Sequence, residues 1–348
     1  MLLEPEELKK SSQIDPQIVE FAQKNPSPPP DWENADAMAA NLAAMTAMTL
    51  EQIGPPESGI TEEEQLIPMR DGFKSTIKVH KPSSPPSSGS PLIVLIFGGG
   101  WISGGKDQMT PFARPMVRLF GAVVVNISYR LAPEHKFPKS QEDSWDGVKW
   151  IAEHASDLGA DPRLGFVVGG VSAGGTCTAV VTTLAVEEKL SPPITGQWLC
   201  IPSLMDEQHV PEKYKKYFLS PKHNADAPVL NAVAMAALKK HTDWDNNSPL
   251  RYPILSKAPL GDLPPTYFQA DGMDPIRDDA LIYDEMLKEA GVSTRIDFYP
   301  GCPHGHFMFM PGMKISNKAT GDLFVGVGWL LGKEISGEEG LKAMAPST

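Results

Sequence analysis

The sequence has no long apolar run and too few basic residues to balance its acidic ones. Its 31 Lys and Arg side chains stand against 43 Asp and Glu side chains, so its formal net charge is −12 at pH 7. Nucleic-acid binding is disfavoured, because a phosphate backbone repels an acidic chain that has no basic stripe. The longest apolar stretches, such as residues 92–97, are far shorter than the ~20 residues of a spanning helix. We therefore expect neither nucleic acid nor a membrane span.

Cysteine is scarce as well. Cys177, Cys200 and Cys302 cannot all pair and show no C-x-x-C spacing, so neither a disulfide framework nor a zinc site is predicted. The first ten residues are partly acidic, where a secretory signal has a basic region followed by an apolar one. We therefore expect a soluble, cytoplasmic protein. Its 348 residues, 41% of them hydrophobic, are enough to bury a large core.

Strand and helix patterns alternate through most of the chain. Short apolar runs are typical of strands that are covered on both faces, and longer segments with helical spacing follow them. The predicted order is strand 92–97, helix 107–120, strand 121–128, helix 141–155, strand 164–169, helix 176–190, strand 265–270, helix 278–290, strand 294–299 and helix 317–331. This alternation predicts an α/β fold with a mostly parallel central sheet and helices on both faces.

Two segments depart from this alternation. Residues 1–60 carry helical patterns interrupted by a proline-rich run at 26–30, and residues 203–250 are helix-rich, with 231–240 the clearest helix. We interpret both as helices that cap the carboxyl ends of the strands. The expected domains are N-terminal cap helices at 1–60, a core at 61–202 and 251–332, an inserted cap region at 203–250, and a C-terminal tail at 333–348.

The sharpest chemical signal is Gly170-Val171-Ser172-Ala173-Gly174, which lies between a predicted strand and a predicted helix. In a G-x-S-x-G turn the chain bends so tightly that the residues flanking the serine must be small, and the hydroxyl is held at a helix N-terminus. A lone motif of this kind is common by chance. The strand before it and the helix after it favour a nucleophilic Ser172.

A nucleophilic serine also needs donors for the oxyanion. Gly98, Gly99 and Gly100 follow the predicted strand 92–97, and consecutive glycines leave their N–H groups unshielded. By itself this segment is more simply interpreted as a glycine turn. Together with the serine motif it predicts an oxyanion hole formed by the amides of Gly99, Gly100 and Ala173.

Six segments occur in the order and spacing of a known family. They are Gly98 to Trp101, Tyr129 to Pro138, Asp161-Pro162, the Ser172 motif, Asp274 to Asp278, and Pro303-His304-Gly305. In these segments the chain resembles hormone-sensitive-lipase-like α/β hydrolases, over about residues 60–332. It is most similar to fungal members, which include esterases of secondary-metabolite pathways. The resemblance implies an α/β-hydrolase fold with a helical cap.

The resemblance also assigns a catalytic triad of Ser172, Asp274 and His304. The chemistry independently requires a carboxylate that orients an imidazole, and Asp274 follows a predicted strand at the sheet edge where such a group is expected. Neighbouring side chains compete for both roles. The family pattern, with the aspartate before a proline and the histidine before a glycine, favours Asp274 and His304 over the following alternatives: Asp271, Asp278, Asp279 and His306.

The chain departs from the family pattern at two positions. Family members usually carry His before the glycine run and Asp before the nucleophile, where this chain has Phe97 and Val171. The resemblance therefore implies that a polar group tying the oxyanion loop in place is absent, although the backbone donors remain. Arg130 and Glu134 suit a charged network that supports the active-site loops.

These observations predict a serine carboxylesterase or deacetylase that hydrolyses a small, mainly apolar ester, and the resemblance implies a role in a fungal secondary-metabolite pathway. No metal or organic cofactor is required. Trp101, Met205 and Phe307 are expected to line the substrate pocket. A lyase, dehydratase or cyclase using the same site is the alternative, and a non-catalytic receptor is disfavoured because all three triad residues are present. The expected partner is a small-molecule ester, and the protein is expected to be a monomer or homodimer.

Overall fold

Eight β-strands form one sheet in the computed structural model, which describes residues 2–26 and 30–345. The strands are β1 (Ile60–Pro68), β2 (Lys74–Pro82), β3 (Leu92–Ile96), β4 (Val123–Ile127), β5 (Phe166–Val171), β6 (Gly196–Cys200), β7 (Thr266–Asp271) and β8 (Thr294–Tyr299). Their order across the sheet is β1-β2-β4-β3-β5-β6-β7-β8. β2 pairs with both β1 and β4 in the antiparallel sense, and the other pairings are parallel. The prediction of a mostly parallel sheet is confirmed.

Helices occupy most of the connections between the strands. Across the described ranges they are α1 (Pro5–Ser11), α2 (Pro16–Lys24), α3 (Ala35–Ile53), α4 (Thr110–Phe120), α5 (Lys139–Glu153), α6 (Ala173–Glu187), α7 (Ser220–His223), α8 (Ala232–Thr242), α9 (Arg277–Glu289), α10 (His306–Phe309), α11 (Lys314–Leu330) and α12 (Gly337–Lys342). None of these helices is both long enough and apolar enough to cross a lipid bilayer.

The core lies around the central strands. Every residue of β3, β4 and β5 is buried, because helices cover both faces of the sheet. The carboxyl ends of the parallel strands therefore meet at one edge, where the loops after β3, β5 and β7 lie close together.

Some predicted elements differ from the structure. β6 is not predicted by the apolar pattern, because its five residues begin with Gly196 and Gln197. The helix predicted over 107–120 starts as a 3-10 turn at Lys106–Met109, so α4 begins only at Thr110. The helix predicted over 231–240 corresponds to α8.

The first two helices are bound to the loops that follow β7 and β8. Arg277 Nη1 donates a hydrogen bond of 2.9 Å to the carbonyl of Leu8, in α1. The amide of Gly301 donates to the carbonyl of Ser11 at 2.7 Å, and the Gly301 carbonyl accepts from Asp15, the N-cap of α2, at 3.0 Å. The N-terminal segment is therefore anchored beside the carboxyl edge of the sheet.

α3 is held at both of its ends. Before its start, Trp32 Nε1 donates to the carbonyl of Val229, in the inserted segment, at 3.0 Å. After its end, the Gly54 carbonyl accepts from Arg114 Nη1 of α4 at 2.7 Å. α3 thus connects the inserted segment with the core.

The inserted segment between β6 and β7 contains α7 and α8 together with 3-10 turns. α12 lies within the predicted C-terminal tail and packs closely on α11, since a Cβ at Gly340 would lie 2.9 Å from Phe324 Cβ. Residues 27–29 of the predicted proline-rich interruption, Met1 and residues 346–348 lie outside the described residues. The division into cap, core and tail stays a prediction.

Candidate active site

Ser172 lies in the turn between β5 and α6. Its φ is +56°, in a region that residues other than glycine rarely adopt. The flanking glycines are required by the close approach of the chain to itself. A Cβ at Gly170 would lie 2.4 Å from the Gly174 carbonyl oxygen, and one at Gly174 would lie 2.1 Å from the Ile96 carbonyl oxygen. The turn presents the Ser172 hydroxyl at the N-terminus of α6.

Two further side chains continue from this hydroxyl in a line. His304 Nε2 lies 2.8 Å from Ser172 Oγ, and His304 Nδ1 lies 2.6 Å from Asp274 Oδ2. The imidazole is 6% exposed and the carboxylate is fully buried. The structure thus brings together the three side chains that the sequence predicts as a triad.

The surroundings of Asp274 and His304 shift both of their pKa values upward. Burial raises the pKa of Asp274, although His304 and the Ile276 amide, which donates to Oδ1 at 3.0 Å, oppose it. Burial by itself would lower the pKa of His304, but the Asp274 carboxylate outweighs it and the pKa is raised. The raised pKa of His304 makes its imidazole a better acceptor for a proton.

Asn224 also supports Asp274 and was not singled out by the sequence. Its Nδ2 donates to the Asp274 carbonyl oxygen at 2.8 Å, from a position in the inserted segment. Asparagine in a loop carries no local signal of such a role, because the contact joins residues 50 positions apart.

The alternative triad residues have other partners. Asp278 Oδ2 accepts from the amides of Leu219 and Ser220, both at 2.6 Å. Asp279 Oδ2 accepts from the amide of Leu204 at 2.7 Å and from that of Met205 at 3.2 Å, so these two carboxylates hold the inserted segment.

The remaining two alternatives lie beside each other. His306 Nδ1 is 3.0 Å from Asp271 Oδ1, and both side chains are buried. His306 therefore has a carboxylate neighbour of its own, separate from the line that joins Ser172, His304 and Asp274.

The glycine segment after β3 lies against the serine. A Cβ at Gly98 would be 3.2 Å from Ser172 Cβ, and Gly99 and Gly100 have φ values of +128° and +64°. The amides of Gly99, Gly100 and Ala173 have no hydrogen-bond acceptor among the described residues. These three N–H groups belong to the two loops that meet beside Ser172, and their role as oxyanion donors stays a prediction.

Polar contacts do tie this loop in place, and the expectation that such a group is absent is wrong. The Tyr129 hydroxyl donates to the Phe97 carbonyl at 3.0 Å, and the two rings stack at 4.0 Å. Ser103 Oγ donates to the Gly99 carbonyl at 2.8 Å. Burial raises the pKa of Tyr129 well above its usual value, so its hydroxyl stays protonated as a donor.

Of the two residues predicted for a charged network, Arg130 forms ion pairs and Glu134 is not shown to take part. Arg130 pairs with Asp143 at 2.7 Å and with Asp71 at 2.8 Å, whereas Glu134 is exposed. The hydrogen bond from Arg130 is the main reason that the pKa of Asp71 falls to about 2.

The three predicted pocket residues are all packed in the interior. Trp101 is 5% exposed, Met205 3% and Phe307 5%. Trp101 Nε1 donates to Cys177 Sγ at 3.4 Å, and the Phe307 ring lies 6.1 Å from the Phe112 ring. Their role in substrate binding stays a prediction.

Two buried residues that the sequence does not reveal contact the oxyanion loop. Leu238 of α8 covers Gly100, since a Cβ at Gly100 would lie 2.4 Å from Leu238 Cδ2. The Arg251 guanidinium lies over the rings of Trp101, Trp244 and Tyr252, at 4.9, 4.3 and 4.1 Å. For Leu238, its apolar position on a predicted helix indicated burial but not its partner.

In the part of the chain that the structure describes, no three His, Cys, Asp or Glu side chains are grouped as metal ligands would be.

Comparison with known proteins identifies the family to which the fold belongs. Residues 93–308 match the family described as having the alpha/beta hydrolase fold. An AB hydrolase superfamily protein of Schizosaccharomyces pombe is 34% identical over 92% of this chain and 95% of its own. A versiconal hemiacetal acetate esterase of Dothistroma septosporum is 31% identical over 85% of this chain and 88% of its own. The crystal structure of vibralactone cyclase matches with a TM-score of 0.85 at 30% identity, over 93% of this chain and 96% of that chain.

Proposed function

This chain belongs to the alpha/beta hydrolase family, and from its site we propose that it is a serine carboxylesterase that cleaves a small, mainly apolar ester. The observation that carries this proposal is the line of contacts from Ser172 through His304 to Asp274. A hydroxyl, an imidazole and a carboxylate in this order, beside free amides, are the groups that acyl transfer requires.

Ser172 Oγ attacks the ester carbonyl carbon while its proton passes to Nε2 of His304. The Asp274 carboxylate holds the Nδ1–H tautomer and stabilises the imidazolium that forms. The carbonyl oxygen, now negatively charged, accepts hydrogen bonds from the amides of Gly99, Gly100 and Ala173. Each such donor is worth about 2.7–4 kcal/mol in the transition state.

The intermediate then collapses to an acyl-enzyme. His304 gives its proton to the departing alkoxide, so the alcohol leaves neutral. Water enters, His304 takes a proton from it, and the resulting hydroxide attacks the acyl carbon. The acid is released and the proton returns to Ser172 Oγ.

The substrate class is proposed from one relative and one contact. The Dothistroma relative is named as an acetate esterase, which supports a short acyl group for this chain too. Leu238 lies against Gly100 of the oxyanion loop, where a longer acyl chain would compete for space. Trp101, Met205 and Phe307 remain the proposed apolar lining. A role in a fungal secondary-metabolite pathway, a cytoplasmic location, and a monomer or homodimer belong to the same proposal.

Ser172→Ala tests the proposed nucleophile. We expect the wild type to hydrolyse p-nitrophenyl acetate and to be labelled by a fluorophosphonate, and the variant to lose both, with turnover falling by a factor of about 10⁶. Ser156→Ala is a matched control, since Ser156 is exposed on a separate loop. Unchanged turnover in Ser172→Ala would contradict the proposal.

The structural similarity to vibralactone cyclase favours a second candidate, a cyclase that uses the same site. That chemistry needs the base and the oxyanion donors but not the entry of water into an acyl-enzyme. Labelling of Ser172 without turnover of any p-nitrophenyl ester would favour the cyclase.

A further inference from the structure

A second carboxylate lies close to His304. Asp271 is the last residue of β7 and its side chain is 1% exposed. Its Oδ2 accepts a hydrogen bond of 2.9 Å from the amide of Gly305, which directly follows His304. Its Oδ1 lies 3.0 Å from His306 Nδ1. One carboxylate thus contacts both residues that follow the imidazole.

The Gly305 contact is the stronger of the two. Neither ring nitrogen of His306 has the alignment of a hydrogen bond with a described residue. The Gly305 amide, in contrast, belongs to the planar peptide group that begins at the His304 carbonyl carbon. Holding this amide therefore fixes the ψ angle of His304 and with it the direction from which its side chain leaves the chain.

The position of Gly305 suits glycine and few other residues. Its φ is +69°, it precedes α10, and a Cβ at this position would lie 3.0 Å from the Phe309 ring. The chain therefore turns directly after His304, and the Asp271 carboxylate accepts from the amide at that turn.

The charge of Asp271 also reaches the site. Burial lowers the pKa of His304, whereas Asp274 and, more weakly, Asp271 raise it. The other titratable groups facing Asp271 are His306, Cys200 and Cys302. Burial raises the pKa of both thiols, so they add no charge at neutral pH.

We propose that Asp271 is a positioning residue for this reaction, which holds the Gly305 amide, thereby keeps the His304 imidazole between Ser172 and Asp274, and acts on that imidazole through its negative charge. The inference rests on the proposed function, in which His304 is the base. Asp271 acts through His304 and not on the substrate.

Asp271→Asn and Asp271→Ala separate the effect of the hydrogen bond to the Gly305 amide from the effect of the negative charge. Asparagine keeps an oxygen for the Gly305 amide but has no charge, so we expect most of the plateau kcat to remain. The acid limb of the kcat/KM profile should move to lower pH, because removal of the negative charge lowers the pKa of His304. Alanine removes the acceptor as well, and kcat should fall by roughly ten- to a hundredfold at every pH.

Asp284→Asn is the matched control. Asp284 is a fully buried carboxylate on α9 that contacts Lys288 and Thr294, both at 2.6 Å. This variant should lose stability without any shift of the acid limb. A shift equal to that of Asp271→Asn would overturn the inference.

Fluorophosphonate labelling of Ser172 in the wild type separates this inference from the proposed function. If labelling and ester turnover are present but both Asp271 variants keep the wild-type kcat and pH profile, the inference is overturned and the proposed function stands. If Asp271→Ala does not fold, an unshifted acid limb in Asp271→Asn overturns it alone. Wild-type protein that is neither labelled nor active would overturn both.

Discussion

Gly99 and Ser172 are both held at positive φ, and both lie in tightly packed turns. The position of a Cβ at Gly99 lies 2.2 Å from the Ser103 carbonyl oxygen, and Ser103 Oγ binds the Gly99 carbonyl. The loop around Ser172 is constrained in the same way by Ile96. The proposed hydrogen-bond donors and the proposed nucleophile are therefore held in position before a substrate arrives, which is the condition under which an oxyanion hole is effective.

Gly99→Ala tests this constraint at a single residue. The added methyl would displace the loop and its amide, so we expect kcat to fall by about 10²–10³ with a smaller change in KM. Gly105→Ala is the control, because Gly105 has extended backbone and nothing within 4 Å of its Cβ position. Steady-state kinetics on a p-nitrophenyl ester measure kcat and KM for both variants. Equal kcat values in Gly99→Ala and Gly105→Ala would contradict the proposed role of the Gly99 amide.

Residues that lie in recognisable motifs were predictable, Asp274 and His304 among them, whereas the contacts of supporting residues were not. The elbow at Ser172 and the glycines at 99 and 100 can be recognised because their backbone geometry restricts local composition. Tyr129, Asn224 and Arg251 reach the site from distant positions in the chain. Nothing in their neighbouring residues indicates those contacts, because packing between elements creates them.

Among the elements, α8 determines how much space lies over the oxyanion loop. Leu238 on this helix is 4% exposed and covers Gly100, whereas Val233 on the same helix is 65% exposed. α3 reaches the same region, since the carbonyl of Trp32, just before α3, lies 3.1 Å from His241 Nε2 of α8. The inserted segment and the N-terminal helices thus meet beside the site.

Leu238→Ala should widen this region. We expect the ratio of kcat/KM for a p-nitrophenyl hexanoate to that for the acetate to rise, at a stability cost of about 2–5 kcal/mol from the cavity. Val233→Ala alters a surface side chain on the same helix. It should leave the ratio of kcat/KM values unchanged and change stability by no more than about 0.5 kcal/mol. An unchanged acyl preference in Leu238→Ala, measured over a series of esters, would remove this residue from the acyl site.

β3 and β4 have strand patterns that could be recognised from their own residues, whereas β6 has none. β3 and β4 are aliphatic over most of their length, and both were predicted. β6 has a glycine and a glutamine at its start, and its burial results from its place between β5 and β7. The sheet context that makes such a segment a strand does not exist in the local sequence.

For the whole molecule, alternation of strands and helices was enough to predict the sheet, and the family match over residues 93–308 confirms the resemblance. The arrangement of the N-terminal helices and of the inserted segment was not predictable. It depends on contacts such as Trp32 with Val229 and Asp278 with Ser220, which join segments far apart in the chain. Substrate choice is expected to depend on this part of the molecule, whereas the chemistry depends on the core.

The most direct measurement of the central claim is a mass spectrum of the protein quenched in acid during turnover of an acetate ester. The mechanism predicts one acetyl group on the peptide that contains Ser172, and none in Ser172→Ala. Continued turnover with no acyl group on that peptide, or with the group on a different residue, would contradict it.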